Sequence, residues 1–287
     1  MTFELLFGIG LIAIGAFSSG SFSIPFGKTR NWAWENYWLI YSLFAYVIVP
    51  LVACYVFCPG FMNVLSGVPA QTLGWIFLLG IIYGVCNLTF GLSLRYLGLS
   101  LGFSLSLGLM MILGTIIPPA IDGRLNILLQ QSGGTMLIAG LLIAAVGIAL
   151  SGYAGYRKDE GAGPEANPEL NFGKGLVLVF FVGITGASQA LGIEQGTGIS
   201  SALVASGIDP LFQTLPVFFV LFGGSFLATA LWCLFLSKKN NNLKAFVKTK
   251  ATTCIADWRV FSGLSTLSFT VWGKAGWESF RLRPGEY

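Results

Sequence analysis

Long apolar runs without charge dominate the chain. No Asp, Glu, Lys or Arg occurs in 36–94, 96–121 or 125–156. A bilayer core about 30 Å thick requires about 20 apolar residues per helix, so each run holds one or two membrane spans. Stretches such as 136–150 lack the alternation of apolar and polar residues that the strands of a membrane β-barrel show. The pattern therefore predicts transmembrane helices.

Turn and helix-breaking residues divide these runs into seven predicted helices. Pro59-Gly60 follows the second helix, and Pro118-Pro119 marks the end of the fourth. No basic segment precedes the first helix as it would in a cleavable signal peptide, so we expect this helix to remain in the membrane. The predicted helices are 3–25, 37–58, 73–94, 100–120, 135–155, 174–193 and 212–236.

A hydrophilic linker at 156–173 divides the apolar part of the chain after five predicted helices. Because five is an odd number, two related halves on either side of this linker would have inverted topology. The first helix of each half ends in a segment rich in Gly, Ala and Ser, at 15–20 and at 186–190. Chance similarity between two such helices explains this match equally well. The predicted fold is all-α, a polytopic transmembrane helical bundle.

Composition and charge agree with a membrane protein. Hydrophobic residues make up 55% of the 287 residues and charged residues only 10%, whereas soluble domains carry about 25% charged residues. The net charge of +4 collects in loops, which indicates an orientation in the membrane and not nucleic-acid binding. Loops after odd-numbered helices are rich in Lys and Arg, whereas the alternate loops hold only Arg124, so we expect the linker inside the cell and the N-terminus outside. The basic residues of the first group are Lys28, Arg30, Arg95, Arg157, Lys158, Lys174, Lys238, Lys239, Lys244, Lys248 and Lys250.

The sequence lacks the residues that enzyme catalysis and metal binding usually require. The chain has no histidine, which is the usual general base and the commonest metal ligand. Its five cysteines show no paired metal spacing and lie mostly in apolar runs, which favours a packing role over a metal site. We find no nucleophile paired with a base and no carboxylate cluster in the sequence. We therefore expect no enzyme activity, metal or cofactor.

Polar side chains at membrane depth are the candidate binding residues, because each is costly in lipid unless it finds a partner or a wet cavity. Hydroxyl and amide groups can donate and accept hydrogen bonds, which suits a polyhydroxyl ligand such as a sugar. Hydrogen bonding between helices is the alternative role for each of them. The candidates are Ser18, Ser21, Tyr83, Asn87, Gln189 and Gln195.

Proton coupling in this chain would require a carboxylate, since histidine is absent. Glu194 is the first candidate, because it stands beside Gln195 beyond the polar tail of the sixth predicted helix. Glu35 is the second candidate, just before the second predicted helix. For both residues the alternative is a carboxylate in a solvated loop or at a helix cap.

Several short motifs follow one another within 8–236. They are 21–26 (SFSIPF), 32–35 (WAWE), 84–87 (GVCN), 90–92 (FGL), 95–102 (RYLGLSLG) and 207–211 (GIDPL). Their sequences and order resemble the bacterial L-rhamnose–proton symporter family. The resemblance implies a ten-helix carrier of the drug/metabolite transporter superfamily, with an inverted repeat of five plus five helices. It further implies that the partners are a proton and a small-molecule sugar, L-rhamnose or a related one. The carrier would lie among the lipids of the bacterial inner membrane, with a periplasmic N-terminus.

The chain departs from this family pattern near its C-terminus. The family has three more apolar helices after the seventh, whereas here only 260–272 is apolar, and charged residues flank it. A charge at a helix centre costs about 2.5–3.5 kcal/mol, so a longer span across those charges is unfavourable. We therefore expect an incomplete second half and a frameshifted or otherwise broken end. The predicted divisions are the first half 1–155, the linker 156–173, the partial second half 174–251 and the aberrant tail 252–287.

Two alternatives to a sugar–proton symporter remain open from the sequence. Another carrier of the same superfamily, which moves a different metabolite or exports a drug, would have the same composition. A remnant that no longer transports would also fit, because the second half would lack partners for its helices.

Overall fold

The computed structural model describes residues 34–130, 133–161 and 171–240. Within these ranges the chain consists of helices joined by short turns, without a strand, which confirms the all-α class. The predicted first helix at 3–25, with Ser18 and Ser21, lies outside the described residues, and so does the tail at 252–287.

The helices follow one another closely along the described chain. A π-helical segment at Phe44–Ile48 interrupts the second predicted helix, 37–58, which therefore consists of two α-helices in series. The α-helices are α1 (Trp34–Leu43), α2 (Val49–Phe57), α3 (Phe61–Ser66), α4 (Ala70–Leu97), α5 (Leu99–Ile121), α6 (Leu125–Gln130), α7 (Gly134–Gly161), α8 (Phe172–Gln195), α9 (Thr197–Ala205) and α10 (Leu215–Lys239).

Within the described ranges, six helical segments are long and apolar enough to cross a membrane. They match the second to seventh predicted helices in order, so those predictions are confirmed and the protein is a multi-pass membrane protein. The segments are Trp38–Phe57, Ala70–Leu97, Leu101–Ile121, Gly134–Ala154, Phe172–Ala205 and Leu215–Lys239.

Two helices extend past their predicted ends. The fifth predicted helix was to end at 155, but α7 continues to Gly161, because the polar residues that follow favour a helix as well as a loop. The sixth was to end at 193, but α8 reaches Gln195, and after the single residue Gly196 the chain resumes as α9. Glu194 is therefore part of a helix within a 34-residue apolar segment and does not lie in a loop beyond it.

The described residues form two compact units. One comprises 34–77 and 195–240, and the other comprises the residues from Leu78 to Glu194. These units do not coincide with the halves 1–155 and 174–251, and the division into inverted halves stays a prediction.

In the first unit, α10 packs against α1, the π-helical segment and α2. Aromatic rings contribute to this contact: the rings of Tyr46 and Phe222 lie 5.5 Å apart, and within α10 the rings of Phe218 and Phe222 lie 5.3 Å apart. Both phenylalanines are fully buried. Apolar burial between the start of the second span and the last described helix therefore builds this unit.

In the second unit, α5, α7 and α8 pack around Leu105 and Val179, with Ile148 against them. A Cβ atom on Gly108 would lie only 2.7 Å from Cγ1 of Ile148, so α5 and α7 approach at a glycine. Small residues at such contacts let helix backbones come close in lipid. Large apolar side chains point outward from α7, where Met136 is 84% exposed, as in a helix that faces lipid.

Candidate functional site

In the second unit, α4 and α8 pack closely and run antiparallel. A Cβ atom on Gly175 would lie 2.4 Å from Cγ of Leu97, and one on Gly186 would lie 3.3 Å from Sγ of Cys86. The same number of residues separates these two contacts on each helix, so their register is constant. The Cys86 thiol also donates a hydrogen bond to the main-chain oxygen of Val182 at 3.4 Å.

This register brings three predicted binding residues to neighbouring levels of the helix pair. Tyr83 on α4 is level with Gln189 on α8, and Asn87 is level with Thr185, one helical turn further along. Tyr83 is buried, whereas Asn87 and Gln189 are half-buried. The sequence predicted each residue separately, and the antiparallel register places them at two neighbouring levels of one helix pair. We call these three residues the α4–α8 polar cluster.

The amides of the α4–α8 polar cluster retain unused hydrogen-bonding capacity. Asn87 donates through Nδ2 to the main-chain oxygen of Tyr83 at 3.0 Å. Within the part of the chain that the structure describes, its Oδ1 and the whole Gln189 amide have no hydrogen bond. Half-buried amides in this state can bind a polar ligand.

Sequence reasoning missed two hydroxyl groups beside this cluster. Thr185 lies one turn before Gln189 and donates to the main-chain oxygen of Phe181 at 2.7 Å. Ser188 donates to the main-chain oxygen of Thr185 at 2.6 Å. Both hydroxyls use their protons inside α8, so each oxygen can still accept a hydrogen bond. The four-residue spacing of Thr185 and Gln189 was the signal that could have identified the threonine.

Glu194, the first proton-coupling candidate, lies in the last turn of α8 and has a charged partner. Arg124 donates through Nη2 to Oε1 of Glu194 and also to Oδ2 of Asp122. These two contacts, to Asp122 first and then to Glu194, raise the pKa of the Arg124 guanidinium. Gly123, with φ of +67°, adopts a left-handed conformation that reverses the chain between Asp122 and Arg124. The sequence did not predict this ion pair, because its partners are far apart along the chain.

Gln195 and Glu35, the other predicted residues within the described ranges, lie in the first unit. Gln195 is exposed at the end of α8. Glu35, the second proton-coupling candidate, lies in the first turn of α1 and is only 5% exposed, so it is not a solvated loop residue. Its Oε1 accepts a hydrogen bond of 2.9 Å from Nδ2 of Asn240, because α1 packs against α10 at this point.

A buried polar contact between α1 and α10 accompanies this carboxylate. The Ser237 hydroxyl donates to Oδ1 of Asn36 at 2.7 Å, and both side chains are at most 1% exposed. Two turns earlier on α10, Thr229 is fully buried, and its Oγ1 has no hydrogen-bond partner among the described residues. None of these residues was predicted: Asn36 and Ser237 are single polar residues near the ends of apolar spans, and Thr229 is a single hydroxyl inside one.

The cysteines of the described ranges are buried and carry free thiols. Cys58 lies one residue past the end of α2, and its thiol donates to the main-chain oxygen of Phe212 at 3.3 Å. Burial raises the pKa of this thiol to about 11. In the same ranges no three His, Cys, Asp or Glu residues group closely enough to hold a metal ion.

Comparisons with known proteins assign the chain to a family. The model of the family described as L-rhamnose-proton symport protein (RhaT) matches residues 1–276. This match is longer than the expected resemblance over 8–236 and includes most of 252–287; the interpretation of that segment as an aberrant end stays a prediction. No solved structure gives a significant match.

Two curated relatives are similar over nearly the whole chain. The L-rhamnose-proton symporter of Yersinia pestis bv. Antiqua (strain Antiqua) is 32% identical over 282 residues, which cover 96% of this chain and 82% of the relative. The L-rhamnose-proton symporter of Yersinia pseudotuberculosis serotype O:1b (strain IP 31758) is 31% identical over 283 residues, with the same coverage. The chain therefore belongs to the L-rhamnose-proton symport protein family.

Proposed function

We propose that this chain is a proton-coupled symporter that imports L-rhamnose, or a related sugar, across the bacterial inner membrane. The family match and the names of the relatives support the substrate pair. The excess of Lys and Arg in alternate loops supports a periplasmic N-terminus. An alternating-access mechanism, in which two inverted halves rock around a central site, fits such a carrier.

The sugar-binding residues of this proposal are Tyr83, Asn87 and Gln189, and Thr185 joins them. The matched register of α4 and α8 supports this assignment most directly, because it gathers hydroxyl and amide groups on one helix pair. L-Rhamnose presents several hydroxyl groups, and a half-buried amide can donate to one and accept from another. Ser18, Ser21 and Gln195 stay in the proposal as predicted binding residues.

Glu194 carries the proton in this proposal, and Glu35 is the second candidate. The Glu194 side chain is 31% exposed and faces a guanidinium. Water can therefore deliver or remove a proton, and a nearby charge responds to that exchange. Glu35 is held in the contact between α1 and α10, where Asn240 donates to it.

Uptake of radiolabelled L-rhamnose into vesicles that hold the purified full chain tests the proposal. With an acidic outside and an alkaline inside, we expect accumulation above the outside concentration, and a protonophore should reduce it to equilibration. An excess of unlabelled L-rhamnose should compete more strongly than sugars of different stereochemistry. Uptake that is insensitive to the gradient would overturn the symport mechanism, and accumulation of another metabolite but not L-rhamnose would indicate a different carrier.

A further inference from the structure

Two adjacent prolines, Pro118 and Pro119, lie inside α5 and within the membrane-spanning segment Leu101–Ile121. Proline has no main-chain N–H, so Pro118 cannot donate the helical hydrogen bond that the main-chain oxygen of Gly114 would otherwise accept. Such an oxygen needs another partner at membrane depth, because lipid offers no donor. Pro118 therefore leaves a main-chain acceptor without its α-helical partner, two turns before the end of this span.

Neighbouring side chains do not replace the missing donor. Among the described residues, no side chain donates to the Gly114 oxygen. Ala190 of α8 faces this glycine: a Cβ atom on Gly114 would lie 4.0 Å from Cβ of Ala190, a methyl group that cannot donate. The hydroxyl of the next residue, Thr115, donates to the main-chain oxygen of Met111 at 2.8 Å. The Gly114 oxygen is therefore available as an acceptor.

This oxygen lies on the side of α5 that packs against α8. Met110 contacts Gly186 one turn before Gly114 contacts Ala190, so the two helices run parallel in constant register. A helical main-chain oxygen points along the axis toward the residue four positions later, which shares its face. Gln189 directly precedes Ala190. α5 therefore adds an acceptor beside the α4–α8 polar cluster.

We propose that the main-chain oxygen of Gly114 accepts a hydrogen bond from a hydroxyl group of the transported sugar, and that Pro118 keeps this oxygen free for it. The assignment rests on the proposed function, in which Gln189 binds the same sugar. A sugar hydroxyl supplies the donor that α5 lacks, and a main-chain oxygen can only accept. Water satisfies the oxygen while the site holds no sugar. α5 thus forms a third wall of the sugar site, and Pro118 is a positioning residue.

The kinetics of gradient-driven L-rhamnose uptake test this assignment. Pro118→Ala returns an N–H that bonds to the Gly114 oxygen and so withdraws it from the site. The apparent KM should rise about 3- to 10-fold, the equivalent of one hydrogen bond, with the maximal rate nearly unchanged.

Pro119→Ala is the matched control in the same helix. Its new N–H serves the main-chain oxygen of Thr115, which lies two turns after Gly108 on the side of α5 that packs against Ile148 of α7. We expect a KM near the wild-type value. A merely structural role of the prolines would raise the KM equally in both variants, or lower the maximal rate of Pro118→Ala without changing its KM. Either result overturns the proposal.

Solid-state NMR reads the oxygen directly, with both prolines in place. Glycine precedes threonine at 114–115, 134–135 and 196–197, so Thr135→Ser and Thr197→Ser leave Gly114–Thr115 as the one such pair. Glycine labelled with 13C at its carbonyl and threonine labelled with 15N then select the Gly114 carbonyl. Saturating L-rhamnose should shift this signal, because a hydrogen bond changes the shielding of a carbonyl carbon. An unchanged signal in a preparation that binds radiolabelled L-rhamnose overturns the proposal.

The outcomes separate failure of this proposal from failure of the proposed function. If the chain neither takes up nor binds L-rhamnose, the proposed function fails and the role of the Gly114 oxygen fails with it. If the chain transports L-rhamnose while the Gly114 signal and the KM of Pro118→Ala stay at their native values, the symport function stands and α5 does not contribute this acceptor.

Discussion

The Cys86 thiol donates to the main-chain oxygen of Val182 and so joins α4 to α8 at 3.4 Å. Gly186 lies on the same side of α8, and Met110 of α5 packs where its side chain would be, 2.4 Å from a Cβ at that position. Close packing at a glycine therefore fixes the level at which Tyr83 and Gln189 stand. The contact between α4 and α8 therefore does not depend on the Gln189 amide, which has no hydrogen bond among the described residues.

Replacing Gln189 by Ala should weaken L-rhamnose binding. The variant loses one or two hydrogen bonds of about 1 kcal/mol each, which corresponds to a rise of roughly 5- to 30-fold in the apparent KM. Gln130→Ala is the matched control, since Gln130 is exposed at the end of α6 in the same unit. Initial rates of uptake over a range of sugar concentrations measure both. An equal effect of the two substitutions would exclude Gln189 from the binding site.

The sequence was sufficient to predict the spans but not their contacts. Apolar runs longer than a bilayer core admit only helices, so six of the predicted spans recur among the described residues. Asn87 and Gln189 could be selected because an amide in an apolar run is conspicuous. Their common level could not be predicted, because it depends on the approach of α4 and α8 at Gly186, and glycines recur at similar spacing throughout the chain.

Ion pairs and buried polar contacts could not be predicted from sequence patterns for a related reason. Glu194 meets Arg124 only because α8 returns to the turn after α5. Glu35 accepts a hydrogen bond from Asn240, which lies at the other end of the described chain. In a hydropathy pattern each of these residues is a polar residue at the end of a span, and a solvated loop residue gives the same pattern.

Gly196→Ala should destabilise the protein. The backbone at Gly196, with φ of −82°, would accept alanine, but the new Cβ would lie 2.3 Å from Cγ1 of Val217, a stiff and fully buried side chain. Overpacking of this kind costs about 1–3 kcal/mol. Gly198→Ala is the matched control, because nothing lies within 4 Å of a Cβ there. Thermal unfolding in detergent should show a lower Tm for Gly196→Ala alone, and equal Tm values for the two variants would contradict the close contact with Val217.

Ser237→Ala should lower the free energy of unfolding more than a similar change on an exposed helix face does. The Asn36 amide, 1% exposed, loses the donor that lies 2.7 Å from its Oδ1. Loss of a partner for a buried acceptor costs about 1–3 kcal/mol. In Ser201→Ala the lost hydroxyl is exposed and bonds only to its own helix, at the main-chain oxygen of Thr197, so we expect a change within about 0.5 kcal/mol. The same unfolding measurement compares the two variants. A similar loss of stability in both would show that the hydrogen bond between α1 and α10 contributes little to the free energy of unfolding.

Cys58 should react slowly with thiol reagents at mildly alkaline pH. Burial raises the pKa of its thiol to about 11, and the thiolate is the reactive form. At pH 8 the thiolate fraction is therefore on the order of one part in a thousand, compared with roughly a quarter for an ordinary cysteine. Raising the pH increases the reactive fraction. Alkylation followed by mass spectrometry should show Cys58 unmodified while Asn126→Cys, on an exposed position, is labelled completely. Equal labelling rates would mean that the site opens readily to solvent.

Glu35→Gln should retain proton coupling, whereas Glu194→Gln should lose it. Glutamine at 35 keeps an oxygen for the Asn240 amide, 2.9 Å from Oε1 in the native protein, so the contact between α1 and α10 is preserved while the titratable group is removed. A proton carrier must exchange protons with water, and the Glu194 side chain is 31% exposed, whereas Glu35 as a whole is 5% exposed. Counterflow exchange of labelled L-rhamnose needs no net proton movement and should persist in both variants. Accumulation against a gradient should persist in Glu35→Gln alone, and the reverse pattern would assign the transported proton to Glu35 at the contact between α1 and α10.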